Sequence, residues 1–311
     1  LHGSEHSFPT RRSSDLARWI GWQGAFYNIA KIAATGGLVY LAGTFIELFG
    51  VTKAWMFIML IIATIMIVIG CYHIFILPNP KKATVDSPKS LKESLGELVE
   101  VFIDFFKKKH IVYYIFFIIL YRFAEGFVIK IVPLFLKASR AKQGLGLSEQ
   151  EIGLCYGTFG AAAFVIGSIL AGYYIARRGL QKSLFALALI FNIPFIAYTL
   201  LAVYQPENLW LIGGAIVMEN FGYGFGFVGL SLFMMQQIAP GKHQMAHYAF
   251  ASGIMNLGVM LPGMLSGVFS DFLGYRQFFI FVLVCTIPAL LVTWFVPFTY
   301  TDDTKKEKFE A

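Results

Sequence analysis

The stretch LAGTFIELFGVTKAWMF (41–57) recurs without a gap as LSGVFSDFLGYRQFFIF (265–281). The two stretches share the ordered pattern G-x-F-x-[ED]-x-x-G, and the match extends back to Ala25 over Ala249 at a constant offset of 224 residues. Because the chain is rich in apolar residues, single identities arise by chance. The evidence for the match is therefore the ordered pattern. The sequence therefore predicts an internal repeat.

The composition indicates an integral membrane protein. Of the 311 residues, 57% are hydrophobic and 14% charged, with mean hydropathy +0.67, whereas a soluble domain carries about 25% charged residues. The distribution of the net charge of +7 fits cytoplasmic loops of a membrane protein, so we expect no nucleic-acid partner. The three cysteines lie far apart in apolar segments, so we expect no disulfide, metal or cofactor.

Eight segments reach the length of about 20 apolar residues that a membrane-spanning helix needs. They are 25–46, 54–77, 111–136, 150–176, 182–204, 208–238, 244–270 and 275–298. Under the repeat the first span corresponds to the seventh, so the repeat unit is six helices. We therefore expect an all-α membrane protein in which the visible spans are helices 5 to 12 of twelve.

The chain is predicted to consist of two terminal tails and parts of two halves. Residues 1–16 read LHGSEHSFPTRRSSDL, which is unlike the apolar sequence that follows, and we interpret them as a non-native, adaptor-derived tail; a solvated tail is the alternative. Residues 17–77 are then the last two helices of an N-terminal half. Residues 111–298 are the C-terminal six-helix half, and 299–311 form a cytoplasmic tail.

The segment 78–110 is predicted to link the two halves. Within it, LKESLGELVEVFIDFF (91–106) spaces apolar residues as on one face of a helix, which predicts an amphipathic helix on the membrane surface or against the bundle. With eight alternating spans, the seven lysines of this segment and seven other basic residues lie on one side, against five on the other. We therefore expect both termini and the linker in the cytoplasm.

Several stretches resemble one family of carriers. They are LYRFAEGF (120–127), LSEQEIGLCYGTFG (147–160), VMENFGYGFGFVGLSLFMM (217–235) and the region 244–279. From about Phe26 to Phe298 the chain resembles the AmpG-type muropeptide permeases of the major facilitator superfamily. The resemblance implies proton-driven import of anhydro-muropeptides across the bacterial inner membrane. Sugar:cation symporters and acetyl-CoA transporters share the architecture and remain alternatives.

Two acidic residues stand out inside predicted spans. Arg122 and Glu125 are three residues apart, so on one helix they share a face. Glu219 lies near the middle of another span. Ionisable residues at such depth are costly and usually face a bundle interior or a wet cavity. We expect Glu125 and Glu219 to relay protons and Arg122 to bind an anionic solute; the alternative is an inert ion pair and a packing acid.

The remaining candidates have weaker signals. Lys31 and Asn220 are candidates for contacts with the solute, with snorkelling and helix capping as the alternatives. Gly222, Gly224 and Gly226 recur at every second position and indicate close packing or a gate, and Asp271 belongs to the repeated pattern as a gating or packing candidate. His243 and His247 have metal-site spacing without a third ligand, so an interfacial role is favoured. The aromatic runs are interpreted as lipid-facing belts.

Two other classes compete with a carrier. A membrane-embedded enzyme would need clustered polar residues in its loops, which here offer Lys, Gly and Pro without such a cluster. A non-transporting sensor or scaffold would tolerate loss of the acids inside the spans. We expect a carrier whose partners are a small solute and the lipid bilayer, without an obligate protein partner.

Overall fold

The computed structural model describes residues 13–32, 38–76 and 91–300, and its regular elements there are all helical. In chain order they are α1 (Ser13–Ile32), α2 (Val39–Phe49), α3 (Val51–Ile76), α4 (Leu91–Phe106), α5 (Ile111–Tyr121), α6 (Phe123–Lys137), α7 (Glu149–Ile152), α8 (Ala161–Arg178), α9 (Leu180–Asn192), α10 (Pro194–Tyr204), α11 (Leu209–Phe233) and α12 (Gln244–Trp294). Two π-helical segments, Gly153–Gly160 and Met234–Ile238, continue α7 into α8 and extend α11.

Parts of three predicted segments lie outside the described residues. These parts are the first twelve residues of the polar tail, the first thirteen residues of the linker and all but two residues of the C-terminal tail. The boundary predicted at residue 16 falls inside α1. The predicted span 25–46 is shared between α1 and α2, with residues 33–37 outside the description.

Five helical stretches among the described residues are long and apolar enough to cross a membrane, judged by length and composition. They are Val51–Ile76, Gly153–Arg178, Leu180–Tyr204, Leu209–Ile238 and Gln244–Trp294. Four of them match predicted spans within a few residues, and the fifth contains two predicted spans. The predicted span over 111–136 is divided into α5 and α6, each shorter than a membrane crossing.

The helix α12 folds back on itself at Gly274. This residue has φ 70° and ψ 160°, far from helical values. The rings of Phe269 and Phe281 lie 5.0 Å apart on either side of it, whereas twelve residues of continuous helix would rise about 18 Å. Residues 244–273 and 275–294 are therefore two antiparallel helices, in agreement with the predicted spans 244–270 and 275–298.

The same turn occurs at the position that the internal repeat predicts. Gly50, the counterpart of Gly274, has φ 78° and ψ 163° between α2 and α3. Phe45 and Phe57, the counterparts of Phe269 and Phe281, lie 6.0 Å apart across it. Backbone conformation and ring contact thus recur at the offset of 224 residues, in agreement with the predicted repeat.

Two compact units are present, and each is described by itself. The small unit comprises residues 29–100, and the large unit comprises residues 1–28 with 101–311. In the small unit α2 packs on α3 around Ala42 and Ala54, which are buried. An apolar groove of about 340 Å³ on this unit is lined by Phe45, Phe57, Leu60, Ile61, Thr64 and Ile65. It has no charged lining residue, so it is not a candidate for binding an ionic solute.

The segment predicted as an amphipathic helix is helical as α4, with the same bounds. Its apolar residues Leu98, Val99 and Phe102 are exposed, as expected of a helix that rests on a membrane surface. Phe105, on the next turn, is buried in the large unit, where its ring contacts His247 at a centroid distance of 5.7 Å. The end of the linker is therefore anchored by packing onto α12.

The large unit is built around α11, which packs against α8 and α9, while α6 packs against α12. Among the residues of this unit that the structure describes, nine aromatic side chains are less than 2% exposed: Tyr114, Tyr121, Tyr198, Phe105, Phe117, Phe135, Phe233, Phe278 and Phe279. The interpretation of the aromatic runs as lipid-facing belts was wrong for these nine. Edge-to-face ring contacts, such as Tyr114 with Phe233 at 5.2 Å, stabilise aromatic residues inside the bundle.

Candidate functional site

The predicted helix over 111–136 is interrupted at Arg122. This residue lies between α5 and α6 with φ −105° and ψ 7°, so the prediction of one continuous helix was wrong there. Glu125 occupies the first turn of α6, where the partial positive charge of the helix N-terminus stabilises a carboxylate. The break thus places a cation before a helix and an anion within its first turn.

Arg122 and Glu125 form a two-point ion pair. Arg122 Nε donates to Glu125 Oε2 at 2.6 Å, and Nη2 donates to Oε1 at 2.6 Å. Each residue is 5% exposed. This fork is the geometry in which a guanidinium binds a carboxylate most specifically. Because removing one member of a buried pair costs on the order of 3–5 kcal/mol, each group is stabilised by the charge of the other.

Two aromatic residues of α11 also contact the guanidinium of Arg122. Arg122 Nη2 donates to Tyr223 Oη at 3.4 Å. Arg122 Cζ lies 5.8 Å from the ring centroid of Tyr223 and 5.4 Å from that of Phe227. A cation at such distances is attracted by the ring electrons. Arg122 therefore has a second set of contacts that does not involve the carboxylate of Glu125.

Glu219 is the centre of a separate hydrogen-bonded group. Its Oε2 accepts from Tyr198 Oη at 3.3 Å, Tyr156 Oη at 3.4 Å and Asn220 Nδ2 at 2.9 Å. Asn220 Nδ2 also donates to Ile216 O at 2.9 Å, which fixes the amide on α11. Three elements, α10, α11 and the π-helical segment, meet at one carboxylate oxygen. The group is suited to holding a charge or a proton inside the bundle.

The π-helical segment Gly153–Gly160 positions one of these donors. A π-helix closes its hydrogen bonds five residues apart instead of four, and such segments occur often at functional sites. Tyr156 lies in the middle of this one, and its hydroxyl reaches Glu219. The widened helix therefore contributes a side chain to the site.

Tyr223 belongs to the first group and lies on the same helix as Glu219, one helical turn after it. The first group contains Arg122, Glu125 and Tyr223, and the second contains Glu219 with the hydroxyls of Tyr156 and Tyr198. We call the two groups together the ionic cluster.

A comparison with protein families decides the class. The model of the Major Facilitator Superfamily matches this chain over residues 10–237 and again over 118–311. The chain belongs to the Major Facilitator Superfamily. Together with the five apolar helices described above, membership of this superfamily indicates a multi-pass membrane protein.

Relatives within the superfamily agree with the predicted resemblance. The chain is 23% identical to the Anhydromuropeptide permease of Escherichia coli (strain K12) over 275 residues, which are 88% of this chain and 47% of that protein. It is 24% identical to a protein named AmpG 1 in Rickettsia bellii over 277 residues (86% and 62%) and to one named AmpG 2 in Rickettsia prowazekii over 213 residues (68% and 50%). The chain spans less than two thirds of the length of each.

The three candidate glycines of this superfamily member lie where α11 meets its neighbours. A methyl group on Gly222 would lie 2.5 Å from Ile190 O, and one on Gly224 would lie 2.3 Å from Phe164 O. One on Gly226 would lie 2.5 Å from Phe191 Cβ. Glycine at these positions allows α11 to approach α8 and α9 closely, which is the packing role expected from the sequence. The alternative role in a gate stays a prediction.

Two further candidates are Lys31 and Asp271. Lys31 lies in α1, and the structure does not describe its side chain. Asp271 is exposed on α12, close to Tyr275. Their predicted roles stay predictions.

Sequence reasoning missed Tyr156, Tyr198, Tyr223 and Phe227. One of them had a usable signal, since Tyr223 is four residues after Glu219 and therefore shares its helix face. The other tyrosines come from different helices and had none.

Proposed function

We propose that the protein is a proton-coupled carrier that imports a cell-wall-derived anhydro-muropeptide across the bacterial inner membrane by alternating access. The observation that carries the proposal is the buried two-point pair of Arg122 and Glu125, whose guanidinium also donates to Tyr223 on the helix that carries Glu219. The named Escherichia coli relative supports the solute class. The chemistry of the cluster supports an anionic solute, because a guanidinium binds carboxylates specifically.

The proposed coupling step is proton transfer to Glu125. A protonated carboxyl group no longer balances the charge of Arg122, so the guanidinium Nε and Nη2 become available as donors. A carboxylate of the solute then takes the place of Glu125, while Tyr223 and Phe227 keep the guanidinium in position. Solute binding therefore follows protonation, which couples the two.

The proposed return step reverses this exchange on the cytoplasmic side. Loss of the proton from Glu125 restores the ion pair, and the solute carboxylate is displaced from Arg122. Glu219 is the second proton acceptor in this scheme, since the hydroxyls of Tyr156 and Tyr198 supply donors to it in either state. Transport then follows the inward proton gradient.

The substitution Glu125→Gln tests the coupling. In proteoliposomes containing the full-length protein, we expect an imposed pH gradient to stimulate uptake of a labelled anhydro-muropeptide by the wild type. In the variant we expect binding to remain and the stimulation to disappear, because glutamine is neutral at every pH. Glu207→Gln is the matched control, since Glu207 is exposed in the connection after α10. Full gradient-driven uptake by Glu125→Gln would refute the coupling step.

A further inference from the structure

The two carboxylate oxygens of Glu219 differ in their contacts. Oε2 accepts hydrogen bonds from Tyr198 Oη at 3.3 Å, Tyr156 Oη at 3.4 Å and Asn220 Nδ2 at 2.9 Å. A carboxylate oxygen has two lone pairs, so three donors occupy Oε2 fully. No described residue donates a hydrogen bond to Oε1. One of the two oxygens is therefore open to a further donor.

The open oxygen is accessible to solvent. Glu219 is half-buried, and Oε1 is not one of the fully buried polar atoms that lack a hydrogen-bond partner among the described residues. Glu219 nevertheless lies inside the apolar stretch Leu209–Ile238, which is long enough to cross a membrane. Ionisable side chains at such a depth face the bundle interior or a water-filled cavity and not lipid. Oε1 is therefore placed to meet a solute that arrives through water.

The partners of Glu219 supply hydrogen bonds but no positive charge. The groups that contact Oε2 are two hydroxyls and an amide, all of which are neutral. Among the described residues, Glu219 has no ion-pair partner, whereas Glu125 has Arg122. A carboxylate inside an apolar bundle is costly unless a cation balances its charge. The second group of the ionic cluster is thus suited to receiving a cation at Oε1.

We propose that Glu219 binds an ammonium group of the solute through Oε1. This inference rests on the proposed function and narrows its solutes to those that carry a free amino group as well as a carboxylate. An ammonium group supplies both a charge-assisted hydrogen bond and the balancing charge, whereas a hydroxyl group supplies only the hydrogen bond. The contact involves the second group of the ionic cluster alone, so it does not depend on where the guanidinium of Arg122 lies.

Binding of two matched probes tests the inference. One is a synthetic anhydro-muropeptide with one free amino group, and the other is the same compound with that amino group acetylated. With the full-length wild type in lipid nanodiscs, calorimetry at neutral pH should give a dissociation constant about tenfold lower for the free amine, as expected for one charge-assisted contact.

Three variants assign this preference to one carboxylate. Glu219→Gln can keep the oxygen that the three donors contact and place an uncharged NH2 group at the open position, so it should lose most of the preference. Glu219→Asp keeps the negative charge and should retain a preference for the free amine. Glu207→Gln removes an exposed carboxylate from the connection after α10 and should behave as the wild type does.

Each outcome bears on one claim. Wild-type protein that binds both probes equally would overturn the inference and leave the proposed function standing. The same preference in Glu219→Gln and the wild type would also overturn the inference alone. Wild-type protein that binds neither probe would refute the proposed function, and the inference with it. If Glu219→Gln binds neither probe, Glu219→Asp decides, because a retained preference supports the contact and equal binding of both probes overturns it.

Discussion

At the scale of single residues, the buried pair of Arg122 and Glu125 makes each residue dependent on the other. Replacing Arg122 by Gln leaves a buried carboxylate without its partner, which we expect to lower the free energy of unfolding by about 3–5 kcal/mol. The double variant Arg122→Gln with Glu125→Gln removes both charges, and we expect it to be more stable than the single Arg122→Gln. Thermal unfolding in detergent, over the complete double-mutant cycle, measures the difference.

Additive changes in the free energy of unfolding would contradict this view, because the effects of independent sites add and those of coupled sites do not.

Asn208→Ala is a suitable reference for a lost hydrogen bond without a buried charge. Asn208 caps α11 by accepting from Trp210 N at 2.8 Å, and removal of such a cap costs about 1 kcal/mol.

The residue scale also shows what sequence can predict. The spacing of Arg122 and Glu125 predicted that they would meet, since three residues make one helical turn. It did not predict the break at Arg122, because arginine is an ordinary helix former and neither Gly nor Pro marks the site. The hydroxyls of Tyr156 and Tyr198 meet at Glu219 only through the packing of separate helices, and no local pattern records such packing.

At the scale of helices, the close approach of α11 to α8 depends on glycine. Gly224→Ala places a methyl group 2.3 Å from Phe164 O, and a backbone atom cannot move aside cheaply. We expect a loss of about 1–3 kcal/mol in the free energy of unfolding, as for other overpacked sites. Gly214→Ala is the matched control on the same helix, because a methyl group there meets nothing within 4 Å. Equal melting temperatures for the two variants would contradict the packing role.

Helix boundaries were predictable where the composition of the sequence changes. They were less predictable where only the conformation of the backbone changes. The amphipathic α4 was predicted with its observed bounds because charged residues alternate with an apolar face. The π-helical segment Gly153–Gly160 has no such mark, since its sequence GLCYGTFG is equally compatible with an ordinary helix. The sequence predicted a span there, and the structure adds the wider turn that directs Tyr156 to Glu219.

At the scale of the whole molecule, the distribution of basic residues predicts an orientation that experiment can check. With fourteen basic residues predicted on one side and five on the other, we expect the C-terminus in the cytoplasm. A fluorescent protein fused there should fold and fluoresce, because such reporters fold in the cytoplasm, and alkaline phosphatase fused at the same point should be inactive. The opposite pair of results would reverse the orientation and the proposed direction of import.

The single-glycine turns have a genetic consequence. Gly50 and Gly274 join helices with φ near 75° and ψ near 160°, and Gly179 does the same between α8 and α9 with φ 78° and ψ 156°. Only glycine adopts this conformation readily, and other residues store about 1–3 kcal/mol of strain there. Every missense codon at these three sites is therefore disfavoured, whatever amino acid it encodes. In a saturation library selected for surviving protein, we expect all three to stay glycine, while Gly267, which has open space around it, accepts alanine.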